Sequence, residues 1–233
     1  MPRVGAGAGA GAGAPVQIGL IETMRARDGR LLWLERHLAR LEASLAALGA
    51  PEPPEDLADL VRFAVRPRPG DRVVRLQVTD GHAEISTRQV NAEHAISLMV
   101  AHDVHHPYPH KTTRREQFGR ALANARRAGA NDSVLVTADG FVAEGTAWNL
   151  FWWENGELRT PAADLGILPG LGRTRIMELT AVKEERVPVA ALAGRSLFLV
   201  NAVRGIVEIA ALGAAQVPRD PRTVELASSF WPD

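Results

Sequence analysis

The 233-residue chain carries 27 basic and 27 acidic residues, so its formal net charge is zero, and it contains no cysteine. A balanced charge gives no global field that would draw the protein to nucleic acid or to an anionic membrane. The lack of cysteine excludes disulfides, thiolate metal sites and cysteine nucleophiles, and it fits a reducing cytoplasm. Apolar runs stay shorter than the ~20 residues that a membrane helix needs. We therefore expect a cytoplasmic protein with no nucleic-acid and no membrane partner.

The first half of the sequence predicts a small unit in which helices and strands are segregated. Residues 1–15 are rich in glycine and alanine, which is typical of a flexible tail or a linker. Residues 16–105 form the predicted N-terminal α+β domain. Its predicted elements are a strand at 19–26, a turn at Asp28-Gly29, a return strand at 30–33, a helix with a leucine stripe from Leu34 to Leu48, a helix at 55–65, a hairpin at 72–90 that turns at Asp80-Gly81, and a strand at 95–101.

The second half, residues 106–233, predicts a larger domain that is rich in strands. Its predicted helices span 113–128 and 172–182, and its predicted strands span 133–137, 141–145, 148–160 and 196–201. The expected fold class is therefore α+β.

Lys111 is unusual for its residue type. The chain has 25 arginines but two lysines, Lys111 and Lys183. A surface that needs positive charge can use either residue, but a lysine that must lose its proton and form a covalent bond cannot be replaced by arginine. Most single lysines are solvated surface residues. The scarcity of lysine here, and the position of Lys111 before a predicted helix, favour a chemical role.

Two further features match a lysine that bonds pyridoxal 5'-phosphate. Such a lysine needs an acid that faces the pyridine nitrogen and an anion cradle for the phosphate. Glu144 lies in an apolar strand and is a candidate acid, although it could also be a surface carboxylate beside a turn. Gly170 and Gly172 precede a predicted helix, where free backbone N–H groups bind anions. The alternative for this segment is an ordinary loop that begins a helix.

Six motifs in order resemble the class IV aminotransferase-like family of fold-type IV pyridoxal-phosphate enzymes. They are "ETMR", "HLARL", "HKTTRR", "EGTAWNLFW", "ILPGLGRTR" and "FLVNAVRGI", and the match runs from residue 19 to residue 209. The resemblance implies a small N-terminal α/β sandwich domain and a larger strand-rich domain that binds the cofactor. "LIETMR", "HKTTRR" and "NAVRG" resemble the 4-amino-4-deoxychorismate lyase branch, including lyase domains fused behind aminodeoxychorismate synthase.

The resemblance also implies residue roles. Lys111 would bond the cofactor and act as the general base, Glu144 would pair with the pyridine nitrogen, and Arg40 would bind the phosphate. The backbone N–H groups of Leu171 and Gly172 would bind the phosphate as well. Relatives often have threonine at the position of Gly172, and they have a Gly-Thr pair where this chain has Asn201 and Ala202. Two threonine contacts to the phosphate would therefore be missing.

Thr23 distinguishes the activities within the family. The resemblance implies that a threonine here relays a proton in the lyases, whereas branched-chain transaminases typically have glycine. The alternative is a β-branched residue that simply suits a strand.

Four further residues or segments are weaker candidates. Arg204 and Arg115 are candidate clamps for the substrate carboxylates. Because arginine is so common here, each could equally be a solvated surface residue. His110 adjoins Lys111 and could contact the cofactor region. The histidines at positions 102–110 are expected to form a loop over the mouth of the site rather than a metal site.

The function that the resemblance implies is a lyase that releases pyruvate and 4-aminobenzoate from a small-molecule substrate. One alternative is a class IV transaminase that acts on D-amino or branched-chain amino acids. A second alternative is a non-catalytic relative that serves as an assembly partner. The resemblance implies a homodimer, and an aminodeoxychorismate synthase is a further candidate partner.

Overall fold

Two β-sheets organise the residues that the computed structural model describes, which are 18–66, 69–91 and 95–232. The predicted tail at residues 1–15 lies outside these ranges. The first sheet is antiparallel, with strand order β2-β1-β3-β4. Its elements, with the two helices that pack on it, are β1 (Leu20–Arg27), β2 (Arg30–Leu31), α1 (Leu34–Leu48), α2 (Leu57–Ala64), β3 (Asp71–Thr79) and β4 (His82–Gln89).

The second sheet is larger and mixed. Its main path runs β10-β9-β8-β11-β12-β5-β6-β7, and β13 pairs with β12. The strands are β5 (Ile96–Val104), β6 (Asp132–Val136), β7 (Val142–Gly145), β8 (Asn149–Glu154), β9 (Glu157–Pro161), β10 (Val182–Glu185), β11 (Ser196–Asn201), β12 (Gly205–Leu212) and β13 (Ala215–Gln216). The helices of this half are α3 (Glu116–Arg127), α4 (Leu171–Leu179) and α5 (Pro221–Ser228). The predicted α+β class is confirmed.

The domain boundary predicted at residue 105 does not separate the two sheets. Strand β5 was assigned to the N-terminal unit, but it pairs in parallel with both β6 and β12 of the large sheet. The two sheets therefore part in the segment between Gln89 and Ile96. Parallel pairing depends on partners far along the chain, so the short apolar run of β5 did not reveal which sheet it would join.

Several element ends also differ from the prediction. The return strand is limited to two residues because Trp33 adopts a left-handed conformation, with φ of 57°, just before α1. Helix α4 ends at Leu179, and Val182 already belongs to β10. The long strand predicted at 148–160 is the hairpin β8–β9, which turns at Asn155-Gly156 with both residues at positive φ. The predicted turns at Asp28-Gly29 and Asp80-Gly81 are confirmed.

A segment that crosses between the sheets positions the site. After β5 the chain leaves the large sheet and runs along β1, where Ile21 N donates to Lys111 O at 2.7 Å and Thr113 N donates to Gly19 O at 2.8 Å. Because β2 pairs with the far end of β1 alone, this end of β1 has an open edge for the incoming segment. The extended pairing also explains why α3 begins at Glu116 rather than at the predicted residue 113.

A cluster of buried apolar side chains in the large domain lies beside α4 and α5. Phe151 of β8 and Phe198 of β11 are fully buried and stack with 5.2 Å between ring centroids and 3° between ring planes. Ile176 of α4 and Phe230 pack in the same cluster. The cluster therefore attaches α4 to the sheet.

We expect Phe198→Ala to lower the free energy of unfolding by about 3–5 kcal/mol, because it leaves a cavity in a closely packed cluster. Chemical denaturation followed by circular dichroism measures the change. Val224→Ala is the control, because Val224 is 63% exposed and its truncation should change stability by less than about 0.5 kcal/mol. Equal effects of the two substitutions would contradict the assignment of this cluster as core.

Candidate active site

A cavity lies between the two sheets and gathers most of the predicted site residues. Those that line it are Thr23, Arg40, Lys111, Arg115, Glu144, Leu171, Gly172, Asn201, Ala202 and Arg204. They come from both halves of the chain and from six separate segments. Such convergence of polar groups in one cavity is typical of a ligand-binding site.

Lys111 lines this cavity with an amine whose pKa is lowered. Burial lowers the pKa of its amine, the nearby cations Arg115 and Arg40 lower it further, and the result is a pKa of about 7. The carboxylates of Glu22 and Glu144 oppose this shift without cancelling it. A large share of the amine is therefore neutral near neutral pH, which is the form that forms covalent bonds and accepts protons.

Glu144 is the buried carboxylate of the cavity, at 3% exposure on β7. His105 Nε2 lies 3.1 Å from its Oε1, and the backbone N–H of Leu168 donates to both carboxylate oxygens at 3.3 Å. Burial raises its pKa, although these hydrogen bonds and the charge of Lys111 work in the opposite direction. A carboxylate in this setting favours a cationic or N–H-bearing ligand group.

The N-terminus of α4 forms a cradle that requires glycine. A Cβ on Gly170 would lie 2.0 Å from Asn149 Oδ1, and a Cβ on Gly172 would lie 3.0 Å from the backbone of Asn201. The helix is nine residues long, and the first backbone N–H groups of a helix have no partner within it. Leu171 and Gly172 therefore present donors where the helix dipole favours an anion.

The turn after β11 closes the other side of the cradle. Asn201 Oδ1 accepts hydrogen bonds from Val203 N at 3.0 Å and Arg204 N at 2.8 Å. The side chain of Asn201 thus shapes the turn, while Ala202 brings a methyl group to the cavity.

Arg40 reaches the cradle from the small domain. Its Nη1 donates to Pro169 O at 3.0 Å, directly before the start of α4. Its Nε and Nη2 donate to the two oxygens of Glu22 at 2.9 and 2.6 Å. The fork holds a cationic guanidinium beside the N-terminus of α4.

The two candidate clamps differ in how they are held. Arg115 donates to Thr146 O at 2.7 Å and to the Tyr108 hydroxyl at 3.3 Å, and its guanidinium lies 4.8 Å from the Phe118 ring centroid. Arg204 lies over the Trp148 ring at 5.6 Å. Arg115 therefore acts mainly as a fixed positive charge in the wall of the cavity.

The histidine predictions require correction. His110 does not line the cavity, because its Nδ1 lies 3.1 Å from Ser44 Oγ on α1 and its ring faces a separate groove. His102 belongs to strand β5 rather than to a loop. His105 is buried beneath Glu144 and does not cover a mouth. Within residues 18–66, 69–91 and 95–232, no group of three or more metal-ligating side chains could hold an ion.

Sequence reasoning missed residues that act behind the cavity wall. The sequence places His105 in the predicted histidine loop, Glu22 in the "ETMR" motif and His37 in the "HLARL" motif, and it assigns none of the three a contact behind the cavity. One signal was available, because His37 and Arg40 are three residues apart and so share one face of α1. Glu22 gave none, because alternation along β1 places it opposite Thr23.

Comparison with known proteins identifies the family. The model of the family "Amino-transferase class IV" matches residues 19–212. The chain belongs to the class IV aminotransferase family. Members depend on pyridoxal 5'-phosphate, so this protein is a pyridoxal-phosphate-dependent enzyme.

Individual relatives carry two kinds of name. The chain is 29% identical over 197 residues to a "Putative branched-chain-amino-acid aminotransferase" of Methanocaldococcus jannaschii, which covers 73% of this chain and 67% of the relative. It is 28% identical over 169 residues to a "Putative aminodeoxychorismate lyase" of Schizosaccharomyces pombe, which covers 68% and 73%. The branched-chain aminotransferase of Thermobaculum terrenum in its pyridoxal-phosphate form shares the fold, with a TM-score of 0.81, 21% identity and coverage of 91% and 83%.

The residues of the cavity fit this cofactor. The cavity combines a lysine with a depressed pKa, a buried carboxylate and a helix N-terminus that an arginine flanks. These groups match an aldehyde, a pyridine nitrogen and a phosphate in turn.

In the described part of the chain, no helix is long and apolar enough to span a membrane.

The low pKa of Lys111 predicts its reactivity in the cofactor-free protein. Below pH 7 the amine is protonated and unreactive, and above pH 7 it is neutral and nucleophilic. We expect the rate of acetylation of Lys111, resolved by mass spectrometry, to reach half its plateau near pH 7. Lys183, 58% exposed on β10, gives a reference profile in the same sample. A Lys111 profile that coincides with that of Lys183 would contradict the assignment.

Proposed function

We propose that this chain is a pyridoxal-phosphate-dependent 4-amino-4-deoxychorismate lyase that releases pyruvate and 4-aminobenzoate. The observation that carries the proposal is Thr23, which lies on β1 and lines the same cavity as Lys111. The sequence around it resembles the lyase branch, in which a threonine is a proton relay. The name of the Schizosaccharomyces pombe relative supports the same reading.

In this proposal the cavity residues hold the cofactor by its three functional groups. Lys111 would bond the aldehyde carbon, Glu144 would pair with the pyridine nitrogen, and Arg40 would bind the phosphate together with the N–H groups of Leu171 and Gly172. Asn201 and Ala202 complete the phosphate side through the turn that follows β11. When bound, pyridoxal phosphate withdraws electrons from the carbon beside the substrate nitrogen and so makes its proton removable.

The elimination needs one base and one proton donor. Once the substrate amine has taken its place on the cofactor, Lys111 would again be a free amine with a pKa of about 7, and it would accept the proton from the carbon that bears the substrate nitrogen. The bond between the ring carbon and the enolpyruvyl oxygen then breaks, and the ring becomes aromatic. Thr23 passes a proton to the departing enolpyruvate, which becomes pyruvate. No oxidant or reductant is required, so atoms and electrons balance.

The cationic wall of the cavity suits a substrate with two carboxylates. Arg115 and Arg204 line it, and Arg88 of β4 does so as well. Arg115 contributes its charge from a fixed position, because backbone and aromatic contacts hold it. Arg204 and Arg88 are the better candidates for direct pairing with a carboxylate. The enzyme is further proposed to act as a cytoplasmic homodimer, with an aminodeoxychorismate synthase as the source of its substrate.

A branched-chain transaminase is the second candidate, because the Methanocaldococcus jannaschii relative bears that name. Both reactions use the same base and the same electron sink. They differ in whether a leaving group departs or a keto acid is formed. Thr23 favours the lyase, because a side chain at this position occupies space that glycine leaves for a substrate.

The decisive assay supplies 4-amino-4-deoxychorismate, generated in situ, to the protein reconstituted with pyridoxal phosphate. Formation of 4-aminobenzoate and pyruvate in equal amounts is the expected result. A parallel reaction contains a branched-chain amino acid and 2-oxoglutarate. Keto-acid formation there without 4-aminobenzoate in the first reaction would overturn the lyase proposal and leave the transaminase. Lys111→Arg keeps a long basic side chain that stays protonated and cannot bond the cofactor, so it should abolish either activity.

We expect Thr23→Val to lower the rate of 4-aminobenzoate formation by ~10²–10⁴-fold, the range for loss of a general acid or base. Valine preserves the shape and the strand preference of threonine and removes the hydroxyl. Affinity for pyridoxal phosphate should stay unchanged, and a titration of the variant controls for that. A rate within twofold of the original would show that the proton comes from elsewhere.

A further inference from the structure

Glu22, His37 and Arg40 form a polar triad, of which Glu22 and His37 are buried behind the cavity wall. Glu22 is 2% exposed and contacts Arg40. His37 is fully buried and contacts Glu22. His37 Nδ1 lies 2.6 Å from Glu22 Oε2, and Arg40 spans both oxygens of the same carboxylate. Neither Glu22 nor His37 lines the cavity.

We propose that Glu22 and His37 are positioning residues that aim the Arg40 guanidinium at the cofactor phosphate. The inference rests on the proposed placement of that phosphate at the N-terminus of α4. Toward the phosphate, Glu22 and His37 act through Arg40, because neither of them lines the cavity.

The hydrogen bonds of Arg40 support this role. A guanidinium has five N–H donors in a rigid plane. Two of them are held by Glu22 and a third by Pro169 O, so two remain for an anion. The three occupied donors fix the plane and tie it to the residue just before the α4 cradle. An arginine without such contacts would lose rotamer freedom when it binds, which opposes binding.

The ionisation of the triad is consistent with this role. Burial would raise the pKa of Glu22, but the hydrogen bond from His37 and the charge of Arg40 hold it at about 2. Burial lowers the pKa of His37, and no described residue is a hydrogen-bond partner for its Nε2. His37 is therefore a neutral ring that donates from Nδ1 to an ionised Glu22.

The neutrality of His37 provides a clean test. His37→Leu removes the donor to Glu22 without changing the charge of the site. His37→Asn retains a donor, because the asparagine amide nitrogen occupies nearly the place of Nδ1. A difference between these two variants reports on position rather than on charge.

The experiment titrates the full chain, depleted of cofactor, with pyridoxal 5'-phosphate and separately with pyridoxal, by isothermal titration calorimetry. We expect His37→Leu to weaken binding of the phosphorylated ligand by about 10-fold or more, the scale of a hydrogen bond to a charged group. Pyridoxal affinity should stay within about twofold. His37→Asn should restore most of the phosphate-dependent affinity. Thermal melting of each variant confirms that it is folded.

Glu22→Gln separates positioning from charge balance. If Glu22 merely neutralised Arg40, its removal would tighten binding of the phosphate dianion. If it positions Arg40, the glutamine breaks the two-pronged pairing and binding weakens, which is the expected result. Glu178→Gln is the matched control, because the exposed pair Arg36–Glu178 also joins α1 to α4, with a 2.7 Å contact. The affinity of the Glu178→Gln variant for pyridoxal phosphate and for pyridoxal should be unchanged.

Two outcomes would overturn the inference. One is undiminished affinity of His37→Leu and Glu22→Gln for pyridoxal phosphate. The other is an equal loss for pyridoxal phosphate and pyridoxal, which would indicate a general disturbance of the site. The Arg40→Leu variant tests the underlying proposal that the cofactor phosphate binds at Arg40. If Arg40→Leu also weakens the binding of pyridoxal phosphate and of pyridoxal equally, the phosphate does not bind at Arg40. If it selectively weakens pyridoxal phosphate while His37→Leu does not, the positioning inference alone fails.

Discussion

The backbone hydrogen bonds between β1 and the Lys111 segment hold the whole site together. Lys111 follows a strand of the large sheet, yet its carbonyl accepts from Ile21 N of the small sheet at 2.7 Å. Thr23 lies on β1, so this pairing also places Thr23 and Lys111 in the lining of one cavity. Lys111 and Thr23, the base and the proton donor of the proposed reaction, are thus related through main-chain geometry rather than through long flexible side chains. This gives the precision that acid–base chemistry requires.

Burial is the main reason that a large share of the Lys111 amine is neutral near pH 7, and charge pairing among its neighbours limits the opposing effect of the carboxylates. Two carboxylates lie close enough to stabilise its protonated form, but each already has a partner. Arg40 and His37 hold Glu22, and His105 holds Glu144. Desolvation and the charges of Arg115 and Arg40 then outweigh the attraction of the carboxylates. The support of the proposed phosphate subsite and the lowered pKa of Lys111 are therefore coupled through the Glu22–Arg40 pair.

The sequence predicted the local features of this fold better than its long-range pairings. Glycine-containing hairpin turns and the leucine stripe of α1 depend on neighbours in sequence, and they were predicted correctly. The sheet to which β5 belongs depends on β6 and β12, and the sequence does not encode such partners locally. The cavity residues could be found because family motifs mark them. His105 could not, because its role follows from a contact with Glu144 across 39 positions.

The phosphate side of the cavity shows why one arginine needs such support. Gly172 and Ala202 provide no hydroxyl, and a Cβ at Gly172 would crowd the backbone of Asn201 at 3.0 Å. The cradle therefore relies on backbone N–H groups, whose positions are rigid, and on the Arg40 side chain, whose position must be made rigid. A buried Glu–His–Arg cluster is costly to desolvate, and apolar residues of similar volume often stabilise a fold as well or better. Its cost is understandable if the cluster serves to keep one guanidinium aimed at an anion.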